Sequence, residues 1–321
     1  IERGDFLATW LDEAVTDRPV VLHAADHHTI WVNSKALEVA GITAATIDPD
    51  GGTIARNEDG SPRGTLREPS AINLITQHAP VRTIDEDVRA IKWACDRYLE
   101  SGVTSAVDAW VEPGMAEAYI AAAKSGQLTI DMHLCFLVQP EKWREMIEYF
   151  ASLRKEIDAL GSNSNLHVKT IKMIGDGALS AGTAALLQPY LDDPTTSGLL
   201  IWSDDEMREA ALLFDSLGYQ LHIHGIGDAA VRQALDTIEY VIENNPSWDR
   251  RPVIVHAQLI DPTDLPRFKS LDVIANFQPL WTYLDPMNKE LIAPRIGEAR
   301  NNRQYQLASV NNSGAKISYR S

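Results

Sequence analysis

Basic side chains are in short supply: 29 Lys and Arg stand against 45 Asp and Glu, a formal net charge of −16. Phosphate backbones are bound by clustered Lys and Arg that displace counterions, so nucleic acid is excluded as the expected ligand. Cysteine is scarcer still. Cys95 and Cys135 are the whole complement, each inside an apolar-patterned segment, which supports neither a disulfide framework nor a Cys-based zinc site. Both read as buried thiols. No run of 18 or more apolar residues occurs, and the opening Ile1-Glu2-Arg3-Gly4-Asp5 lacks the basic-then-apolar order of a signal peptide. There is no internal repeat and no low-complexity tract. The expectation is a cytoplasmic protein acting on a small-molecule substrate, with no nucleic-acid or membrane partner and with a homodimer as the assembly it allows.

With 45% hydrophobic composition over 321 residues, the chain can bury one large core, and single α/β barrels commonly reach this size. From residue 83 onward, strand-like and helix-like segments alternate, the pattern of a parallel sheet with crossover helices. Thr83 with Glu86 forms a capping box, after which Val88, Ile91, Cys95, Tyr98 and Leu99 share a helical face up to Gly102. Strands follow at 103–108, near 130–137, at 167–174, 220–224, 252–256, 273–277 and 315–319. Helices are expected near 141–160, from Ser203 to Gly218, through Val231, Leu235, Ile238 and Ile242, and at 264–271. Seven strands in βα order are one short of the eight that close a barrel. The reading is therefore a distorted TIM (β/α)8 barrel occupying residues 1–321, a fragment whose missing first strand precedes residue 1. A doubly wound open sheet is the alternative, but no glycine-rich phosphate fingerprint follows an early strand. Residues 6–14 read as a helix. Residues 15–82 break the alternation and carry turn-rich stretches at 48–52 and 58–62, which predicts an inserted region with a hairpin around 53–66.

Barrel enzymes carry reactive groups at the C-terminal ends of their strands. Lys172 lies in the apolar run Ile171-Lys172-Met173-Ile174, His224 ends Leu221-His222-Ile223-His224, His256 ends Val253-Ile254-Val255-His256, and Gln278 follows Ile274-Ala275-Asn276-Phe277. Imidazoles ending consecutive strands can converge on one ion. Either histidine alone reads more readily as a hydrogen-bonded core residue; a lysine in an apolar strand, costly to bury as an ammonium, shifts the balance toward function. His222 shares the parity of His224 and reads as a packing residue beneath it. His23, His78, His133 and His167 show no comparable company.

The segments Trp31-Val32-Asn33-Ser34-Lys35-Ala36-Leu37, Ile171-Lys172-Met173-Ile174-Gly175-Asp176-Gly177-Ala178-Leu179-Ser180, His224-Gly225-Ile226-Gly227-Asp228-Ala229-Ala230 and His256-Ala257-Gln258 resemble the YtcJ-type branch of the amidohydrolase superfamily. The resemblance implies a distorted (β/α)8 barrel holding one or two divalent metals, usually zinc. Its ligands would be a His-x-His pair on the first strand, a lysine on the fourth that can be carboxylated, histidines on the fifth and sixth, and an aspartate on the eighth. Lys172, His224 and His256 match the middle three; the His-x-His pair would precede residue 1 and the aspartate would follow Ser321. His28 and Asp176, with Gln278, are the candidate substrate-binding residues. For His28 a surface-loop histidine, and for Asp176 a turn-forming Asp-Gly pair, are the plainer alternatives. Two departures stand out: Gly182 where relatives often carry an arginine, and Val255 where they carry a glutamate.

The activity implied is hydrolysis of a C–N bond in an amide, formamide or cyclic amide by metal-activated water. The alternatives are ester hydrolysis on the same site and a non-catalytic binding or regulatory role. With the proton-shuttling aspartate expected beyond Ser321, no general base is named here. The isolated 321-residue chain is expected to be inactive or nearly so; turnover of an amide by the purified chain would overturn that expectation.

Overall fold

The computed structural model describes residues 5–24 and 28–320; the first four residues read above for a leader pattern, residues 25–27 and Ser321 lie outside the described residues. The chain divides into two compact units, one of residues 1–81 with 181–183, the other of residues 82–180 with 184–321.

The smaller unit is built on four antiparallel strands, β1 (Val21–His23), β2 (Thr29–Val32), β3 (Thr53–Arg56) and β4 (Pro62–Arg67), in the order β1-β2-β4-β3. The turn-rich Asn57-Glu58-Asp59-Gly60-Ser61 joins β3 to β4 as a hairpin. Ile30, Val32, Ile54 and Leu66 pack with Leu37 and Ile72 from the helices that follow β2 and β4. Asn33, fully buried, organises this unit. Its Oδ1 accepts the backbone N–H of Ala36, capping helix Ser34–Val39, and that of Val20. Its Nδ2 donates to the carbonyls of Val15 and Arg18. Ser34 Oγ donates to Asp12 at 2.6 Å, and Trp31 Nε1 to the Leu7 carbonyl at 2.9 Å. The Trp-Val-Asn-Ser sequence thus has a structural account of its own.

The larger unit holds seven parallel strands: β5 (Ser105–Val111), β6 (Asp131–Val138), β7 (Leu166–Ile174), β8 (Gln220–Gly225), β9 (Val253–His256), β10 (Ile274–Phe277) and β11 (Lys316–Tyr319). They lie side by side in chain order from β5 to β11. Every neighbour in the sheet is the next strand in sequence, so the reversal of order that defines a doubly wound sheet does not occur among the described residues. A steady march in one direction is how a (β/α)8 barrel is laid down, and the fold is of that kind.

Helices Ile84–Glu100 and Asp204–Ser216 start where sequence placed them: Thr83 and Glu86 form both halves of a capping box, and the Ser203 side chain accepts the Glu206 N–H. Ile171, Met173, Leu221, Ile223, Ile254, Ala275 and Phe277 point from the strands into a core shared with Phe150, Phe214, Val231, Leu235 and Ile238 of the helices. Two expectations of helix facing need correction. Tyr98 and Leu99 are exposed, since the helix turns its Val88–Cys95 stripe inward and ends one turn later; on helix Asp228–Asn244 the core stripe continues at Val241, leaving Ile242 exposed.

Removing the Asn33 side chain deletes a helix cap and leaves buried backbone groups unpaired, costs of about 1 kcal/mol and about 1–3 kcal/mol respectively. Urea denaturation of Asn33→Ala is expected to show a loss of roughly 2–4 kcal/mol; a loss below about 0.5 kcal/mol would remove Asn33 from this role.

Candidate metal centre

Strand parity decides what faces away from the helices. Between the core residues of β7 to β11 stand Lys172, His222, His224, Val255, Asn276 and Ser318, on the opposite face of the sheet. Lys172 lies beside His222 in register, and His224 beside Val255, which is beside Asn276, which is beside Ser318. Lys172, His224, His256 and Gln278 are all buried. The rings of His224 and His256 meet edge to face with centroids 4.6 Å apart, and Gln278 Oε1 lies 2.9 Å from His256 Nδ1. Three of the four strand-end candidates, His224, His256 and Gln278, are therefore in direct contact. Lys172 is the seventh of the nine residues of β7, in its C-terminal half.

Asp176 is fully buried, and its carboxylate accepts the backbone N–H groups of Ala185, Ile226 and Gly227 at 2.8–3.0 Å. One side chain thereby knits the loop after β7 to the loop after β8. His224 Nε2 is 3.3 Å from Asp176 Oδ1 and 3.2 Å from the Gly177 carbonyl, so the same loop orients the imidazole. The backbones approach too closely for side chains: a Cβ on Gly175 would lie 2.5 Å from the His224 carbonyl oxygen, and one on Gly227 1.9 Å from that of Ala185. His256 and Ala257 have φ of +76° and +43°. A histidine in the left-handed region is held there against a local cost, an arrangement that gathers at functional sites.

Burial sets the charge states. Desolvation pulls the Lys172 amine down to about 7, with the Arg320 guanidinium adding repulsion. His222 and His256 are held well below the ordinary imidazole value, first by desolvation, then by the positive charges of the neighbouring Lys172 for His222 and of His224 for His256. The Cys135 thiol, 3.6 Å from His222 Nδ1, is pushed up to about 12 by burial. Each group is biased toward its neutral form, the form in which amines and imidazoles can donate a lone pair.

Three buried polar atoms here have no hydrogen-bond partner among the described residues: His222 Nε2, Gln278 Nε2 and Asn276 Oδ1. Among the described residues no carboxylate acts on Lys172, whose charged neighbour is Arg320. Buried polar groups are otherwise almost always paired, so His222 Nε2 and Asn276 Oδ1, left open beside the imidazole of His256, fit a divalent ion, whereas the Gln278 amide N–H fits an oxygen acceptor.

Asn276, Trp281 and Arg320 escaped the sequence reading. Asn276 could have been found from its parity between Ala275 and Phe277. Trp281, stacked on His256 at 5.2 Å with planes 6° apart, carries no sequence signal. It belongs to an exposed apolar stretch with Leu280, Tyr283 and Leu284. His28 lies in the smaller unit, its Nδ1 2.9 Å from Glu68 Oε2, while Glu68 Oε1 accepts the Thr183 hydroxyl. Glu68 is buried with φ +67°. Gly182 has φ +75°, and Val255 is fully buried.

The Amidohydrolase family profile matches residues 3–321. The chain is 32% identical over 286 residues to the protein YtcJ of Bacillus subtilis (strain 168), an alignment covering 87% of this chain and 51% of YtcJ. It is 28% identical over 272 residues to the N-substituted formamide deformylase of Arthrobacter pascens, covering 83% and 49%. Among solved structures it is similar to an uncharacterized metal-dependent hydrolase from Pyrococcus furiosus, with a TM-score of 0.69, 26% identity and coverage of 96% of this chain and 59% of that one. The chain spans about half the length of the curated relatives it matches.

The depressed Lys172 and histidine values fix the sign of a pH dependence. Between about 7 and 10.5 the unfolded chain holds a lysine proton that the folded chain has given up, so stability rises with pH. Below 6.5 the unfolded histidines take up protons that His222 and His256 refuse, so stability falls as pH falls. In metal-free, carbonate-free buffer, urea denaturation is expected to show a gain from pH 7 to 9 of at most about 1.4 kcal/mol per pH unit. Lys172→Met should flatten that slope; an unchanged slope would show that Lys172 is not its source.

Proposed function

This chain belongs to the amidohydrolase family, and on that premise we propose that it carries the centre of a metal-dependent hydrolase, with Lys172, His224 and His256 as ligands to one or two zinc ions. The reaction proposed is cleavage of a C–N bond in an amide, formamide or cyclic amide. The observation that carries the reading is the convergence of buried nitrogen donors at the C-terminal halves of three consecutive strands, β7, β8 and β9, beside buried polar atoms with no hydrogen-bond partner among the described residues.

A bound divalent ion supplies two things to such a reaction: a polarised carbonyl and a water acidic enough to serve as hydroxide near neutral pH. The residues of this chain prepare for it. With a proton on Nδ1 directed at Gln278 Oε1, His256 keeps the lone pair on Nε2 for the ion, the role an outer hydrogen-bond partner plays for a ligating imidazole. Asp176 and the Gly177 carbonyl fix the other imidazole through His224 Nε2. An amine near 7 is partly unprotonated at neutral pH, and addition of its lone pair to carbon dioxide, with loss of one proton, turns Lys172 into an anionic oxygen ligand. That change replaces a buried cation by a group the neighbouring ions attract. Gln278 Nε2, with no partner, is positioned to donate to a substrate carbonyl. Trp281 and the apolar side chains after β10 suit a substrate with a hydrophobic substituent. No proton acceptor is assigned among these residues.

Elemental analysis after incubation with zinc and bicarbonate tests this reading. Lys172→Ala is expected to lower the zinc content by at least one ion per chain and to reduce amide hydrolysis by the full-length protein more than 100-fold. Equal zinc content in a folded Lys172→Ala protein would remove Lys172 as a ligand.

A further inference from the structure

A second cluster of donors lies at the opposite end of the same sheet. Asp131 and His133 open β6, two residues apart and so on one side of the strand. His167 opens β7 and is paired in register with His133. His167 Nε2 lies 2.7 Å from Asp131 Oδ1, and His133 Nε2 3.4 Å from Asp131 Oδ2. The two imidazoles are stacked with centroids 4.8 Å apart and planes 26° from parallel. One ligand atom from each residue falls within 4.8 Å of the other two. His167 precedes Lys172 by five residues of extended chain, roughly 16 Å at about 3.3 Å per residue, so this cluster is separate from the centre described above.

We propose that Asp131, His133 and His167 form a second divalent-metal site, taking a zinc-like ion rather than magnesium or calcium. Three arguments support it. The donor set is two imidazoles and one carboxylate, which suits zinc, whereas magnesium and calcium prefer all-oxygen surroundings. Ligands about 2.0–2.1 Å from a tetrahedral ion stand roughly 3.4 Å apart; the His133–Asp131 separation already has that value, and small side-chain rotations bring the His167 nitrogen to it. The three groups also come from strand positions fixed by backbone pairing, which holds donors more firmly than a loop does. Without an ion, a single carboxylate serves two imidazoles, one at 2.7 Å and the other at 3.4 Å. All three side chains are between a third and a half exposed, which leaves room for water to complete the coordination.

The test is a titration of the metal-free protein with zinc and, separately, with cobalt(II), followed by calorimetry and by visible absorption. Wild type, a His133→Ala/His167→Ala variant and a Lys172→Ala/His224→Ala variant are compared, with circular dichroism confirming the fold of each. The expected result is that the His133→Ala/His167→Ala protein binds one ion fewer than wild type, or binds it at least 100-fold more weakly, while the Lys172→Ala/His224→Ala protein retains that ion. Magnesium at the same concentrations is expected to give no heat from this site. An isotherm and cobalt spectrum of His133→Ala/His167→Ala that superimpose on those of wild type would overturn the proposal and leave the upper centre untouched. The milder His167→Gln variant serves the same comparison if the double variant fails to fold, and unchanged binding there would count equally against the site.

Discussion

An amine inside an apolar strand is the constraint around which the upper centre is organised. Water is the cheapest place for an ammonium, and β7 removes Lys172 from it without offering a carboxylate in return. The fold can tolerate this only by changing the chemical state of the amine, by releasing its proton or by converting it to an anion beside a cation. Its surroundings agree with that demand. The nearest titratable neighbours on β8 and β9 are imidazoles kept neutral, and the thiol on β6 is kept protonated. The Asp176 carboxylate, beside His224, accepts three backbone amides.

The architecture was legible because its signals were local. Period-two apolar runs, Thr83 with Glu86, Ser203 with Glu206, and Gly218 after its helix are all short-range features, and the strands fell where they pointed. Strand order needed one more ingredient, the rule that successive parallel strands lie side by side. The alternation of Ile171, Met173, Leu221 and Ile223 with Lys172, His222 and His224 separated core from interior with no knowledge of the third dimension. Helix faces were read less well where a helix approached its end, because the last apolar residues of a periodic stripe need not meet any partner, as Tyr98 and Leu99 show.

What could not be read were relations between residues far apart in sequence whose individual settings look ordinary. His133 and His167 each sit near a strand start as the polar member of an alternating run, between Met132 and Leu134 and between Leu166 and Val168, which is why neither drew notice alone; only the register of β6 against β7 makes them partners. The stacking of Trp281 on His256 depends on the path of an irregular segment that no period describes. The left-handed backbone of His256 and of Glu68 is likewise invisible, since histidine and glutamate give no warning of positive φ in the way glycine does. Local patterns thus reveal the frame and the deep donors, while the rim and the lower cluster emerge from pairing.

The sequential order of the strands bears on synthesis at the ribosome. A sheet whose neighbours in space are neighbours along the chain can be assembled as the polypeptide emerges, each strand docking on the one made just before it. The donors at the two ends of that sheet are then completed at different moments. Asp131, His133 and His167 are all present once β7 has appeared, whereas the upper centre waits for β8, β9 and the Gln278 that follows β10. A nascent chain therefore completes its lower donors while the upper set is still being translated.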